Sequence, residues 1–228
     1  MASVVVEGLV LPVALGGHPA LDFCNTRAGW GEPRPKEYLV SHAHLLLWAR
    51  ENGLVTAPAA KQTDQAAAHA PAEATAVLRR AVRFREALYD VLAGLARPAN
   101  WAAVSAEAQR AAAVAVLRPG TPAATWELPV TTGAELPLLA VARSAADLLT
   151  TPAARTVAAC PGHGCGWLFA DPRGRRRWCS MALCGNRAKA RRHSDRNRPA
   201  PAITGTAGTS AAGAAGRSFT HGDPSEGP

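Results

Sequence analysis

The sequence predicts a mainly α-helical N-terminal domain, with at most one short β element, followed by a small ββα module built around four cysteines. Three observations lead there. Apolar residues make up 48% of the 228, but alanine supplies much of that share and aromatics only 5%, which favours slim helices over a β-rich core. The clearest apolar periodicity in the chain is helical. Near the C-terminus, Cys160, Cys165, Cys179 and Cys184 stand as two matched pairs with the spacing C-x4-C-x13-C-x4-C.

Taken in order, Val4-Val5-Val6 is the candidate strand. Gly16-Gly17-His18-Pro19 reads as a turn, and Gly29 to Pro35 as a loop. Ser41 is placed to cap a helix through Leu45, Leu46, Trp48 and Ala49, with Gly53 just past its end. Thr56 to His69 forms another, with Pro58 in its first turn. The strongest helix spans about 72–96, with Leu78, Ala81, Val82, Phe84, Leu88, Val91, Leu92 and Leu95 at helical spacing and Pro98 stopping it. Asn100 is read as the cap of an alanine-rich helix reaching Leu117, and Thr121 to Val130 as an irregular or short extended piece. Pro137 opens a last helix, carrying Leu138, Leu139, Val141, Ala145 and Leu148, and Pro152 marks its end or a kink.

Charge divides the chain into three. Residues 1–154 carry 13 basic and 13 acidic residues, residues 155–198 carry 11 basic and 2 acidic, and residues 199–228 carry 1 basic and 2 acidic, so the cysteine segment holds +9 and the tail −1 of the chain's net +8. A neutral body with one cationic end is the pattern of a tethered polyanion-binding module. Domains are accordingly expected at 1–154 (helical), 155–198 (the cysteine module) and 199–228. The last is almost all Ala, Gly, Pro, Ser and Thr and is read as a disordered tail.

No secretory signal is visible and no run approaches the roughly 20 apolar residues that cross a bilayer, so a cytoplasmic protein without a membrane partner is expected. Thiols stay reduced there, and paired cysteines favour metal over disulfide. Two thiolate pairs match the tetrahedral demand of one structural Zn²⁺ and leave no open position for a catalytic water. Gly162, Gly164 and Gly166 permit a tight knuckle, with His163 a loop residue on it; Trp167-Leu168-Phe169 reads as a strand, Asp171-Pro172-Arg173-Gly174 as a turn, and Arg175 to Trp178 as the returning strand. Gly185 to His193 favours helix. The result is a zinc-bound, treble-clef-like ββα unit, with Trp167, Phe169, Trp178 and Leu183 as its small core and the metal supplying about 10 kcal/mol of folding free energy. Cys24, beside Leu21 and Phe23, is read as a buried apolar residue.

This stretch resembles the CGNR-type zinc finger family, named for the residues that stand here as Cys184-Gly185-Asn186-Arg187. The likeness extends through Cys165 to Phe169, Arg176 to Met181 and Arg187 to His193. Such proteins carry a helical ABATE-like N-terminal region with a Leu-Asp-Phe-x-Asn-Thr motif, and Leu21-Asp22-Phe23-Cys24-Asn25-Thr26 is similar to it. The resemblance implies a transcription regulator, sometimes described as stress-induced.

The expected nucleic-acid contacts are Arg173, Arg175, Arg176 and Arg177 on the hairpin, and Asn186, Arg187, Lys189, Arg191, Arg192 and Arg196 on the final helix, with Asn186 either touching DNA or capping that helix. Five to eight phosphate contacts give a log–log salt slope of about −4 to −7. Asp22, Asn25 and Thr26 either cap a helix or line a small-molecule effector pocket or a homodimer interface. His42 and His44, two apart, point to different helix faces and are expected in solvent. No nucleophile elbow, P-loop, H-E-x-x-H or dinucleotide fingerprint is found, so no catalysis is expected. The expectation is a zinc-containing DNA-binding transcription regulator, with an RNA-binding or protein-interaction zinc module as the alternative.

Overall fold

The β-branched run at the N-terminus forms β1 (Ser3–Val6), paired antiparallel with β2 (Leu9–Pro12) through a turn in which Glu7 and Gly8 both take positive φ, 49° and 80°. The computed structural model describes residues 2–196, so the tail expected at 199–228 lies outside the described residues. After β2 the chain is mainly helical. α1 (Pro19–Cys24) is short and buries Ala20 to Cys24. β3 (Arg27–Ala28) pairs with β4 (Lys36–Glu37) across the Gly- and Pro-rich loop. α2 (His42–Glu51) starts at Ser41, whose Oγ accepts the His44 N–H, and Gly53 follows its end at φ 71°. α3 (Ala57–His69) is capped by Thr56.

Two expected boundaries shift. The long helix, α4 (Pro71–Leu92), ends short of residue 96. Gly94 takes φ 73°, its N–H bonds to the Val91 carbonyl at 3.4 Å, and Leu95 N–H bonds to the Asp90 carbonyl at 2.8 Å. This left-handed glycine stop acts before Pro98 can, and it leaves Leu95 65% exposed, off the core. α5 (Pro98–Val114) starts at Arg97, and Asn100 sits at the third helical position, returning its Oδ1 to the Arg97 N–H at 2.8 Å. It ends before Leu117 because Ala115 turns to extended backbone (φ −67°, ψ 136°), leading into β5 (Val116–Arg118), which pairs with β6 (Thr125–Glu127).

α6 (Leu136–Leu149) is the central helix. Leu138, Leu139, Val141, Ala142, Ala145 and Leu148 are all at most 3% exposed, and α1, α2, α4 and α5 pack around it. Against the sequence expectation, His42 is buried, because its Nε2 meets the Ala134 carbonyl at 2.7 Å beside α6. Cys24 is fully buried, as expected, and burial pushes its thiol up. No helix among the described residues is long and apolar enough to cross a membrane.

The last elements are β7 (Val157–Ala159), its antiparallel partner β8 (Leu168–Ala170), and α7 (Asn186–Arg196). β8 joins this end to the helical body. Its alternation turns Leu168 into the main core while its neighbours Trp167 and Phe169 face the cysteines. Asn25, at the end of α1, holds the same strand. Its Oδ1 accepts the Leu168 N–H at 2.8 Å and its Nδ2 donates to the Leu168 carbonyl at 2.9 Å, across 143 positions of chain. Asn25→Ala leaves both groups buried and unpaired, and a loss of about 2–4 kcal/mol is expected in urea denaturation followed by circular dichroism.

Candidate metal centre and adjoining groove

The first cysteine pair sits at the tip of the β7–β8 hairpin. Cys160 N–H bonds to the Trp167 carbonyl at 2.8 Å and Cys165 N–H to the Gly162 carbonyl at 2.8 Å, folding the loop back on itself. Gly162 is required by close approach, since a Cβ there would stand 2.9 Å from Cys184 Sγ.

The first β strand of the unit therefore precedes the knuckle, and the returning strand expected at 175–178 does not form. The Asp171 carboxylate turns the chain instead, accepting the Arg175 and Arg176 N–H groups at 2.9 Å each. Arg176 then locks the turn in place: its guanidinium donates to the carbonyls of Ala170 (3.2 Å), Leu15 (3.1 Å) and Cys179 (2.6 Å) and lies over the Phe169 ring. Three of its donors are thus engaged within the protein, while the residue itself stays exposed on the turn.

The second pair is set by a wide turn over Met181–Gly185, in which the Cys184 and Gly185 N–H groups share the Ser180 carbonyl, and α7 follows at once. The four Sγ atoms lie within 4.8 Å of one another, with Cys165 to Cys179 at 3.7 Å and Cys179 to Cys184 at 3.6 Å. Tetrahedral Zn²⁺ with bonds of about 2.3 Å requires sulfur edges of about 3.8 Å. All four cysteines are free thiols and at most 3% exposed. Held this close they cannot ionise independently: hydrogen bonds from Cys165 and Cys179 pull the Cys160 thiol far down, and contacts with Cys160 and Cys165 push Cys179 far up. A dication among them stabilises all four thiolates together. The site fits one structural zinc ion held by Cys160, Cys165, Cys179 and Cys184.

The core beneath the cysteines differs from the expected one. Trp167 and Phe169 are buried and Trp178 packs at its edge, but the other partners are Ala28, Tyr38, Leu15 and Trp30 from the N-terminal part, while Leu183 stays outside. Trp30 stacks on Tyr89 at 3.6 Å, and Tyr89 donates to the Gly166 carbonyl at 2.8 Å. These partners were missed because no spacing rule connects a loop near residue 30 with a knuckle near residue 165.

A groove of about 700 Å³ opens beside the sulfurs, between the knuckle at 161–164 and the first turns of α7. Arg177, Arg187, Arg191 and Arg192 line it, with Trp178 and, from the β3–β4 loop, Glu32. Arg173 and Arg175 lie exposed on the Asp171 turn and do not line it, nor do the exposed Lys189 and Arg196 of α7. His163, on the knuckle, faces Glu32 Oε1 at 3.5 Å and is not part of the sulfur cluster.

Asp22, Asn25 and Thr26 are at most 6% exposed. The Asp22 Oδ1 accepts the Leu15 and Gly16 N–H groups at 2.8 and 2.7 Å; burial pushes its carboxyl up against the pull of those bonds. Thr26 donates to the Phe23 carbonyl at 2.6 Å and accepts from Arg85, a buried guanidinium that also grips both Glu37 oxygens at 2.6 Å. The N-cap of α1 is His18, so none of the three starts that helix.

Two family models cover this chain. The one described as "Putative stress-induced transcription regulator", ABATE, matches residues 17–152, and the CGNR zinc finger matches residues 156–197. The chain belongs to the ABATE family. No curated protein matches it. In the CGNR finger, each letter of the motif has a physical task. Cys184 is a sulfur ligand; a Cβ on Gly185 would strike Met181 Sδ at 2.8 Å; Asn186 turns its Nδ2 toward the Ala182 carbonyl at 3.4 Å rather than capping α7; and Arg187 Nη2 donates to Cys184 Sγ at 3.1 Å. In the ABATE region, the Leu-Asp-Phe-x-Asn-Thr motif binds the preceding loop, β8 and Arg85 in turn.

The purified protein is expected to hold one zinc per chain by metal analysis, and Cys184→Ala to hold less than stoichiometric zinc. Arg187→Ala removes an outer partner of a ligand and should weaken zinc about tenfold in competition with a chromogenic chelator.

Proposed function

We propose that this ABATE protein is a DNA-binding transcription regulator, not an enzyme, whose CGNR finger seats α7 and the adjoining groove against the duplex. The observation that carries the reading is the alignment of Arg177, Arg187, Arg191 and Arg192 along one groove beside a metal-ordered helix. Arg187 and Arg191 are one helical turn apart, as are Ala188 and Arg192, so one face of α7 delivers the charge. The eleven-residue helix is about 16 Å long, enough to lie in a major groove about 12 Å wide and reach phosphates on both walls. Arg173, Arg175, Lys189 and Arg196 remain exposed around this face and extend the field. Exposed guanidinium groups favour phosphate, and the chain's own body offers no acidic block to neutralise them, with 13 basic and 13 acidic residues over 1–154. In this reading the protein works in the cytoplasm, and the ABATE region supplies signal response or dimerisation.

Duplex affinity should fall with salt at a log–log slope of about −4 to −7. Arg191→Ala should weaken binding to all sequences alike and reduce that slope by about 1 in fluorescence anisotropy titrations. Absence of any salt dependence removes the phosphate reading. Tighter binding to RNA than to duplex DNA in direct competition moves it to an RNA-binding module, and negligible binding to both leaves a protein-docking role.

A further inference from the structure

We infer that Glu32 reads an amino-bearing base edge from within the arginine groove, so that the ABATE region supplies a specificity-determining side chain to a surface otherwise built by the CGNR finger. The inference rests on the DNA reading above and deepens it.

Among the residues lining the groove, Glu32 is the carboxylate set against four guanidiniums. A negative charge at that place repels phosphates and lowers affinity for any polyanion. A surface that only grips the backbone gains nothing from it. On DNA-reading surfaces a carboxylate accepts from exocyclic amino groups, cytosine N4 above all, and adenine N6 offers the same kind of donor in the major groove. Phosphates held by the arginines bring base edges to the groove, and Glu32 is the acceptor waiting there.

The carboxylate is mounted on the zinc knuckle. Two residues before it, Trp30 stacks on Tyr89 and donates its backbone N–H to the Cys165 carbonyl at 3.4 Å. Glu32 N–H closes the turn on the Gly29 carbonyl at 3.0 Å. Opposite, Gly164 sits at φ 63°, and a Cβ there would collide with Glu32 Oε1. The knuckle thus leaves the volume that the carboxylate fills. His163 Nδ1, on the knuckle, is 3.5 Å from Glu32 Oε1, and the Glu32 side chain remains 39% exposed, within reach of an incoming donor.

The test uses the zinc-loaded full chain and its Glu32→Ala and Glu32→Gln variants, with zinc content and thermal melting checked for each. Bound duplexes are selected from a randomised pool, and a panel differing at single positions is then titrated. The unmodified chain should prefer cytosine or adenine at one position. Glu32→Ala should lose about tenfold of that preference while binding random duplex more tightly. Glu32→Gln, which keeps an acceptor and gains a donor, should shift the preference toward adenine. Zinc-loaded variants with unchanged base preference overturn the inference and leave the DNA reading standing, as does an unmodified chain that binds duplex without preference at any position. An unmodified chain that binds no duplex removes both.

Discussion

One three-residue strand, β8, belongs to two cores at once. Leu168 is fully buried among the helices, and Phe169 and the preceding Trp167 are buried against the cysteine sulfurs. The strand has β7 on one side, and Asn25 takes the place of a second neighbour by offering one acceptor and one donor to a single residue of its backbone. Through that pairing the zinc knuckle is fixed to α1, and everything that gives the groove its shape is placed relative to α1: the β3–β4 loop with Trp30, the Asp171 turn, and α7.

Much of this was legible because local chemistry decides it. Ser41 caps the helix it was expected to cap, the helix expected from Thr56 forms with Thr56 at its start, and the four-cysteine spacing closes into one sulfur cluster. The failures have a common cause, which is competition from a partner that local sequence does not name. The returning strand over 175–178 lost to Asp171 and to the reach of Arg176 toward Leu15, and the helix expected to 96 lost to Gly94. Asn25 and Thr26 looked like cap or pocket residues because their partners, Leu168 and Arg85, lie far along the chain. Glu32 carried no signal at all, being one acidic residue in a loop.

The arginines show why net charge alone is a poor guide to a binding surface. Arg85 is buried and divided between Glu37 and Thr26; Arg176 is spent on three carbonyls; Arg187 serves both the Cys184 sulfur and the groove. The same residue type thus does structural, metal-supporting and surface work within one small protein, and only position separates these roles. Zinc adds to the same economy of charge, since a tetrathiolate ion carries about −2 and draws a nearby guanidinium inward.

The shared strand also bears on how the chain tolerates being cut. The two family matches meet near residue 154, where a boundary looks natural on paper. Severing the polypeptide there removes Leu168 from the helical body and strips partners from Asn25, Tyr89 and the Arg27 carbonyl, which takes a bond from Trp167. Each fragment would carry a raw apolar scar in place of a finished surface, so the halves are poor candidates for separate expression, and exchanging fingers between relatives would require transplanting the loop around Trp30 as well.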